Sequence, residues 1–218
     1  MSRTEHSAAS ADLAATLAQG LTRLGLDLPD AVQAKLLQFV ALLAKWNRAY
    51  NLTAVREPAA MLPRHLFDSL AVLPHLQGPR VLDVGSGAGL PGIPLALARP
   101  DLRFTLLDSN NKKTRFMTQA VAELGLANVS VVQSRVEDYQ APASFDTVIT
   151  RAFAAVAEVV AATGRLCAPH GQLLLMKGAN PVHELEALPT SYALRETIRL
   201  HVPGLDAERH VLVIRPCV

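Results

Sequence analysis

The stretch Val81-Leu82-Asp83-Val84-Gly85-Ser86-Gly87-Ala88-Gly89-Leu90-Pro91-Gly92 decides how the chain is read. A short apolar, β-compatible run leads into eight residues that hold four glycines. Glycines at alternate positions permit left-handed backbone and let a ligand approach bare main chain, so a nucleoside-binding loop after a buried strand is the first expectation. Two kinds of loop fit. Gly87 to Gly92 satisfies the G-x-G-x-x-G pattern of dinucleotide sites. That pattern should open where the strand ends, however, and this strand ends at Val84. Counted from Gly85, the third dinucleotide glycine falls at position 90, which is Leu.

Asp83, late in the strand and followed by Gly85, Gly87 and Gly89, is the arrangement of the first loop of S-adenosylmethionine-dependent methyltransferases. The ligands explain the difference. A dinucleotide brings a pyrophosphate, which suits the positive end of a helix. S-adenosylmethionine has no phosphate but carries a sulfonium, an amino group and a carboxylate, so a nearby carboxylate such as Asp83 can balance its cationic end.

Downstream, the second β-compatible run ends at Asp108 in TLLDSNNKK, about twenty residues past the loop, where an acid can bridge two ribose hydroxyls. That feature serves either nucleotide. The third run ends in VVQSRVEDY, where Glu137 or Asp138 can accept a bond from an adenine amino group; alone, the pair also reads as a solvated helix start. The ordered series Asp83, Gly85, Gly87, Gly89, Asp108, Glu137 is far more specific than any member of it.

The surrounding chain supplies the frame. Runs RVLDV, RFTLL, VSVVQ, FDTVIT, QLLLM and HVLVI alternate with helix-like segments near Gly92–Ala98, Lys112–Leu124, Ala154–Ala162 and Pro181–Leu188. Such alternation implies a parallel sheet covered on both faces. The last run follows closely on YALRETIRLHV, which suits a terminal antiparallel hairpin. Before Arg80 the texture is helical. Leu13, Leu17, Leu21 and Leu24 recur at helical spacing, Gly25 and Pro29 interrupt, a second stripe runs from Val32 to Trp46, and a third segment spans roughly Pro58 to Leu73. The expected fold is therefore a Rossmann-like α/β unit over residues 79–218, preceded by a helical N-terminal extension over residues 1–78.

Bulk properties narrow the class further. Half of the 218 residues are apolar and 18% are charged, as in a folded globular protein. The formal net charge of +2 leaves any RNA site to a local basic patch. Two distant cysteines, Cys167 and Cys217, suggest neither a disulfide framework nor a metal site and fit a reducing cytoplasm. No signal-peptide run or membrane-length apolar window is evident, so no membrane partner is expected.

Residues near the fourth run bear on the methyl acceptor. FDTVITRAFA lacks the Asn/Asp-Pro-Pro-aromatic turn used on exocyclic base amines, and neither cysteine lies in the Pro-Cys setting of carbon-5 pyrimidine methylation. Guanine N7 fits these negatives, because its lone pair needs positioning and no proton removed. No catalytic base is expected. Arg151 can hold the methionine carboxylate, orient a base, bind a phosphate or form a structural salt bridge; Phe153 can stack on a base or pack in the core. Lys112, Lys113 and Arg115 place cations at a helix start, against the macrodipole, which suggests phosphate contacts, although a solvated face fits nearly as well. Lys177 ends a buried-looking strand and is another candidate for RNA contact. In the N-terminal part, Trp46 and Tyr50 share a helix face, as do Asn47 and Asn51, and His65 and Asp68; capping or packing roles suit them, with Asn51 and Thr53 as helix-end residues.

WNRAYNLTAV, RHLFDSLAV, LDVGSGAGLPGIPLA, LLDSNNKKTRFM, VVQSRVED, FDTVITRAFA and LLLMKG follow one another in an order and spacing that resemble the bacterial ribosomal RNA small-subunit methyltransferase G family, also called glucose-inhibited division protein B. The resemblance runs from about Leu36 to the C-terminus. It implies methyl transfer from S-adenosylmethionine, leaving S-adenosylhomocysteine, to N7 of one guanosine in the decoding-region loop of 16S rRNA, free or within the 30S subunit. It implies cofactor contacts by Gly85, Leu90, Val136, Glu137 and Arg151. A monomer without metal is expected. The rivals are a methyltransferase for a small molecule or protein, a ribosome-associated protein that binds S-adenosylmethionine without turnover, and, more distantly, an NAD oxidoreductase.

Overall fold

The computed structural model describes residues 3–151, 155–179, 182–185 and 187–217. Helices α1 (Arg3–Arg23) and α2 (Asp30–Tyr50) come first, separated by the Gly25–Pro29 break. Gly25 takes a positive φ of 69°, where a side chain would be strained. At its other end α2 stops on Asn51, whose φ of 50° and N–H bond to the Asn47 carbonyl make it a left-handed C-cap. The third helical segment is less regular than its periodicity suggests. It runs as α3 (Pro58–Met61), a π-helical turn (Leu62–Phe67) and α4 (Asp68–Leu70). That wide turn lets Leu62, His65, Leu66 and Phe67 all be buried.

From Arg80 a seven-stranded sheet forms: β1 (Arg80–Val84), β2 (Arg103–Asp108), β3 (Val129–Gln133), β4 (Phe145–Arg151), β5 (Cys167–Lys177), β6 (Tyr192–Arg199) and β7 (His210–Pro216). Their spatial order is β3-β2-β1-β4-β5-β7-β6. β1 to β5 pair in parallel, and β7 lies antiparallel between β5 and β6. The terminal hairpin is thus present, with its second strand inserted into the sheet. Order reverses between β1 and β4, so the crevice at their carboxyl ends is where a ligand is expected.

Helices α5 (Gly92–Ala98), α6 (Asn111–Leu124) and α7 (Val156–Thr163) cover the two faces. The period-two alternation along β1 shows how. Val81 enters one apolar cluster with Leu17, Phe39, Ile93 and Phe116, whereas Leu82 and Val84 enter the other with Val159 and Leu173. The N-terminal helices therefore share a core with the α5–α6 face, and each fully buried Leu or Phe there contributes roughly 1.5–3 kcal/mol. This packing carries the segment just past α2 and the π-helical turn up to the rim of the switch-point crevice.

Two expectations need correction. Pro181–Leu188 is not a regular helix. Among the described residues it holds only a 3-10 turn, Val182–Glu184, and Glu184 accepts the Val156 N–H at 2.8 Å, serving the start of α7. Second, β5 begins at Cys167, well before QLLLM. Its early part contains Pro169 and Gly171, and its pairing with β4 is irregular between Phe145 and Thr147, which is why no alternating pattern announces it.

Candidate cofactor and acceptor site

The glycine loop owes its shape to bonds with the neighbouring strand. Gly85 and Ser86 donate N–H bonds to the Leu107 carbonyl at 2.8 and 3.1 Å, and Gly87 donates to Asp108 Oδ2 at 2.8 Å. Gly85, Gly87 and Gly89 have φ of 68°, 58° and 75°, so the alternating glycines are required by the backbone. Gly92, at the first turn of α5, is required by space. A Cβ there would collide with Leu106 and reach Asp83 Oδ2 at 2.7 Å.

Asp83 lies beneath the loop, fully buried, and accepts the Gly92 N–H on Oδ2 at 2.9 Å. Its Oδ1 has no hydrogen-bond partner. Burial raises its pKa from 3.8 to about 7, opposed by the Gly92 bond and by the Arg151 charge. Between roughly pH 4 and 7 the unfolded chain gives up this proton and the folded chain keeps it. Stability therefore falls with rising pH across that window, by about 1.4 kcal/mol per unit for one group. Asp83→Asn keeps the Gly92 bond and removes the titration. It should gain at least ~1 kcal/mol on the parent between pH 5 and 7 in urea unfolding; a gap that does not change with pH would refute the assignment.

Two cavities meet over this loop. The first, about 340 Å³, is lined by Gly85, Asp108, Ser109, Lys113, Val136 and Glu137, among others, and by Arg151. The second, about 440 Å³, has Gly85, Gly87 and Leu90 on one side and Thr53, Arg64, His65 and Asp68 on the other, closed by Arg151, Lys177 and Arg209. Gly85 and Arg151 belong to both. Of the residues singled out in the sequence, Asp83 and Gly89 line neither cavity and act on the loop from within. Arg115 faces a separate groove. Leu90 is buried and packs in the core while bordering the second cavity. Phe153 lies outside the described residues.

In the first cavity Asp108 is central. It sits at the end of β2, accepts Gly87 N–H on Oδ2 and Asn110 N–H on Oδ1, each at 2.8 Å, and has Lys113 Nζ at 4.0 Å. The N-terminus of α6 is capped by Asn110, whose side chain accepts from Lys112 and Lys113 N–H, which offsets part of the cost of cations there. Val136 to Asp138 form a turn rather than a helix start. Arg165 braces it, donating to the carbonyls of Val136 (2.6 Å), Glu137 (3.1 Å) and Tyr139 (3.1 Å). No sequence pattern pointed to Arg165.

The second cavity holds the arrangement that sequence reasoning missed. Asp68, 2% exposed, lies between two arginines: Arg151 Nη1 at 3.0 Å from Oδ2 and Arg209 Nε at 2.9 Å from Oδ1. Beside it a neutral chain runs Asn47, Thr53, His65. Asn47 accepts the Thr53 N–H at 2.9 Å and donates to the Val55 carbonyl at 3.0 Å. Thr53 Oγ1 lies 2.9 Å from His65 Nε2, and His65 Nδ1 lies 2.8 Å from the Arg64 carbonyl. A carbonyl can only accept, so Nδ1 carries the proton and Nε2 accepts from the threonine. Burial, then the Arg151 charge, push the His65 pKa from 6.5 down to about 4, so the ring is neutral at physiological pH. Thr53 is thus a partner of His65 rather than a simple cap, and Arg151 both pairs with Asp68 and lines the site. Lys177 is ion-paired to Glu184 at 2.8 Å.

The strand order with one reversed strand, the glycine loop after β1 and the acid ending β2 define a class I S-adenosylmethionine-dependent methyltransferase fold. The mitomycin 7-O-methyltransferase MmcR has the same fold, with a TM-score of 0.61 over 82% of this chain and 60% of that one, at 15% identity. Closer likeness lies in sequence. The model of the rRNA small subunit methyltransferase G family matches residues 32–212. A protein of that name from Nitrosospira multiformis is 51% identical over 93% of this chain and 97% of its own length. Another from Shewanella amazonensis is 53% identical over 92% and 97%. The chain belongs to the rRNA small subunit methyltransferase G family.

Among the described residues no group of three or more His, Cys, Asp or Glu is placed to hold a metal, and no helix is long and apolar enough to cross a membrane.

Proposed function

We propose that this protein transfers the methyl group of S-adenosylmethionine to N7 of a guanosine in the decoding-region loop of 16S rRNA. The observation that carries this reading is the junction of the two cavities at Gly85 and Arg151, which gives one chamber to a nucleoside and the other to the atom that receives the methyl group. The family to which the chain belongs favours rRNA as the acceptor. Residues 79–218 then form the methyl-transfer unit, and residues 1–78 supply part of the acceptor wall.

The residues fit the cofactor. Asp108 has lone pairs left for two ribose hydroxyls after its two backbone bonds, and the Val136–Glu137 turn is braced where an adenine would lie. The bare backbone from Gly85 to Gly89 leaves room beside the junction, and one oxygen of Asp83 beneath it has no hydrogen-bond partner. Together the cavities match the usual size range of small-molecule sites, roughly 300–1,000 Å³. When bound, the cofactor would supply an electrophilic methyl on a sulfonium; transfer would form the N7–C bond as the C–S bond breaks, leaving neutral S-adenosylhomocysteine and a cationic 7-methylguanine.

The chain's own task is to hold the base and tolerate that charge. Both ring nitrogens of His65 are engaged, so it acts as a neutral wall and not as a base. Asp68 keeps the Arg151 and Arg209 guanidiniums fixed and offsets their charge where the base becomes positive. Lys113 and Lys177 offer contacts to RNA phosphate or cofactor at the cavity edges; Lys112 is exposed on α6 and lines neither cavity.

The test uses tritiated S-adenosylmethionine, with 30S subunits and free 16S rRNA from a strain lacking the modification. Aniline cleavage, which reports 7-methylguanosine, maps the product. One labelled guanosine in the decoding loop is expected; label at another atom or on no rRNA would refute the assignment.

A further inference from the structure

Outside the two cavities, a third depression of about 370 Å³ lies between α2, α6 and the edge strand β3. Trp46, Arg115, Thr118, Gln119 and Gln133 line it. At its edge Tyr50 stacks on Trp46, ring centroids 5.1 Å apart and planes 28° apart, while Trp46 meets Phe116 edge-on at 5.7 Å. Tyr50 is 38% exposed and is the one exposed large hydrophobic side chain among the described residues. Trp46 is anchored to the core by Phe116; Tyr50 adds a second ring on the outside, which packing does not require.

We propose that the Trp46–Tyr50 pair and the adjoining α6 cations form a platform for a single-stranded segment of the RNA substrate flanking the target nucleotide. This rests on the reading of the acceptor as rRNA and adds the surface that receives it. Lys112 and Arg115 are three residues apart on α6 and share a face with Gln119; both are exposed, and neither has an ion-pair partner among the described residues. The elements that carry the platform also reach the site. Lys113 of the same helix lines the first cavity, and Leu52 and Thr53, just past Tyr50, line the second. A flat aromatic ring beside unpaired cations suits stacked bases and their phosphates. The groove lining is mixed, with Thr114, Thr118, Gln119 and Gln133 offering hydrogen bonds beside the apolar surface of Trp46 and Val131.

The experiment compares Tyr50→Ala, Tyr50→Phe and Arg115→Ala with the parent. Base stacking on one ring predicts a KM for unmethylated rRNA substrate raised about tenfold in Tyr50→Ala, and Tyr50→Phe close to the parent. Arg115→Ala should lower the slope of log affinity against log salt by about one. Calorimetric affinity for S-adenosylmethionine and the melting temperature should stay near parental values in all three. Trp46 is the single tryptophan of the chain, so its fluorescence should be quenched by a naked, unmethylated 16S rRNA fragment. An unchanged KM in Tyr50→Ala, or a raised KM matched by equal losses of cofactor affinity and melting temperature, overturns the platform. So does a KM effect on 30S subunits without quenching by RNA, which would mark a protein contact. If the parent methylates no rRNA, the acceptor reading fails by itself, and the quenching experiment still decides whether RNA lies on this surface.

Discussion

Asp108→Ala should bind S-adenosylmethionine at least a hundredfold more weakly than the parent, with the fold retained. Two losses combine. The carboxylate would no longer accept the ribose hydroxyls, and hydrogen bonds to a charged group are worth about 1.5–3 kcal/mol. It would also release the Gly87 and Asn110 amides, each held at 2.8 Å, so the loop would no longer arrive preformed under the cofactor. Together these amount to roughly 3–5 kcal/mol, or two to three and a half powers of ten. Asp108→Asn, which retains one acceptor, should fall between. Titration calorimetry with S-adenosylmethionine and S-adenosylhomocysteine measures both; a loss below tenfold for the alanine variant would mean that the first cavity does not take the ribose.

The second large effect is expected at Asp68. Asp68→Ala should lower kcat by about a hundredfold or more and stability by roughly 3 kcal/mol, where leaving buried charges uncompensated usually costs about 3–5 kcal/mol. The stability figure sits low in that range because Arg151 and Arg209 side chains remain 23% and 26% exposed and regain some solvation. The effect on rate has a separate origin. Methylation at N7 places a positive charge on the base, so two unbalanced guanidiniums oppose the transition state more than the ground state. The loss should therefore appear in kcat more than in KM. Asp68→Asn keeps the volume and removes the charge, and should reproduce most of the kinetic defect with less loss of stability. A variant with normal kcat and altered melting alone would reduce Asp68 to a packing residue.

The interactions behind these two expectations differ in how far the sequence exposes them. Asp108 is legible because it lies a fixed distance past the glycine loop at the end of the adjacent parallel strand. Asp68 is not. Its partners are 83 and 141 residues away, and one of them lies in the terminal hairpin, where no spacing rule applies. The same is true of Arg165, which reaches back 29 residues to brace Val136. His65 and Asp68 were visible as a helical pair. Their place on the second cavity depends on a π-helical turn and on how α2 packs over α5 and α6.

By itself the sequence determined the strand-and-helix alternation, the glycine loop and the acid that ends β2, because each is a short-range pattern. Positive φ demands glycine, and buried parallel strands demand apolar runs. Only the tertiary structure decided which charges meet. Lys113 and Arg115 are two residues apart, yet at about 100° per residue on a helix they point into different depressions, one lining the first cavity and one beside Trp46. Asp68, Arg151 and Arg209 come from the N-terminal helices, β4 and the loop before β7, and converge because the sheet order brings those elements to one edge of the crevice. Coulomb energy depends on distance in space and on burial, neither of which is written in residue order.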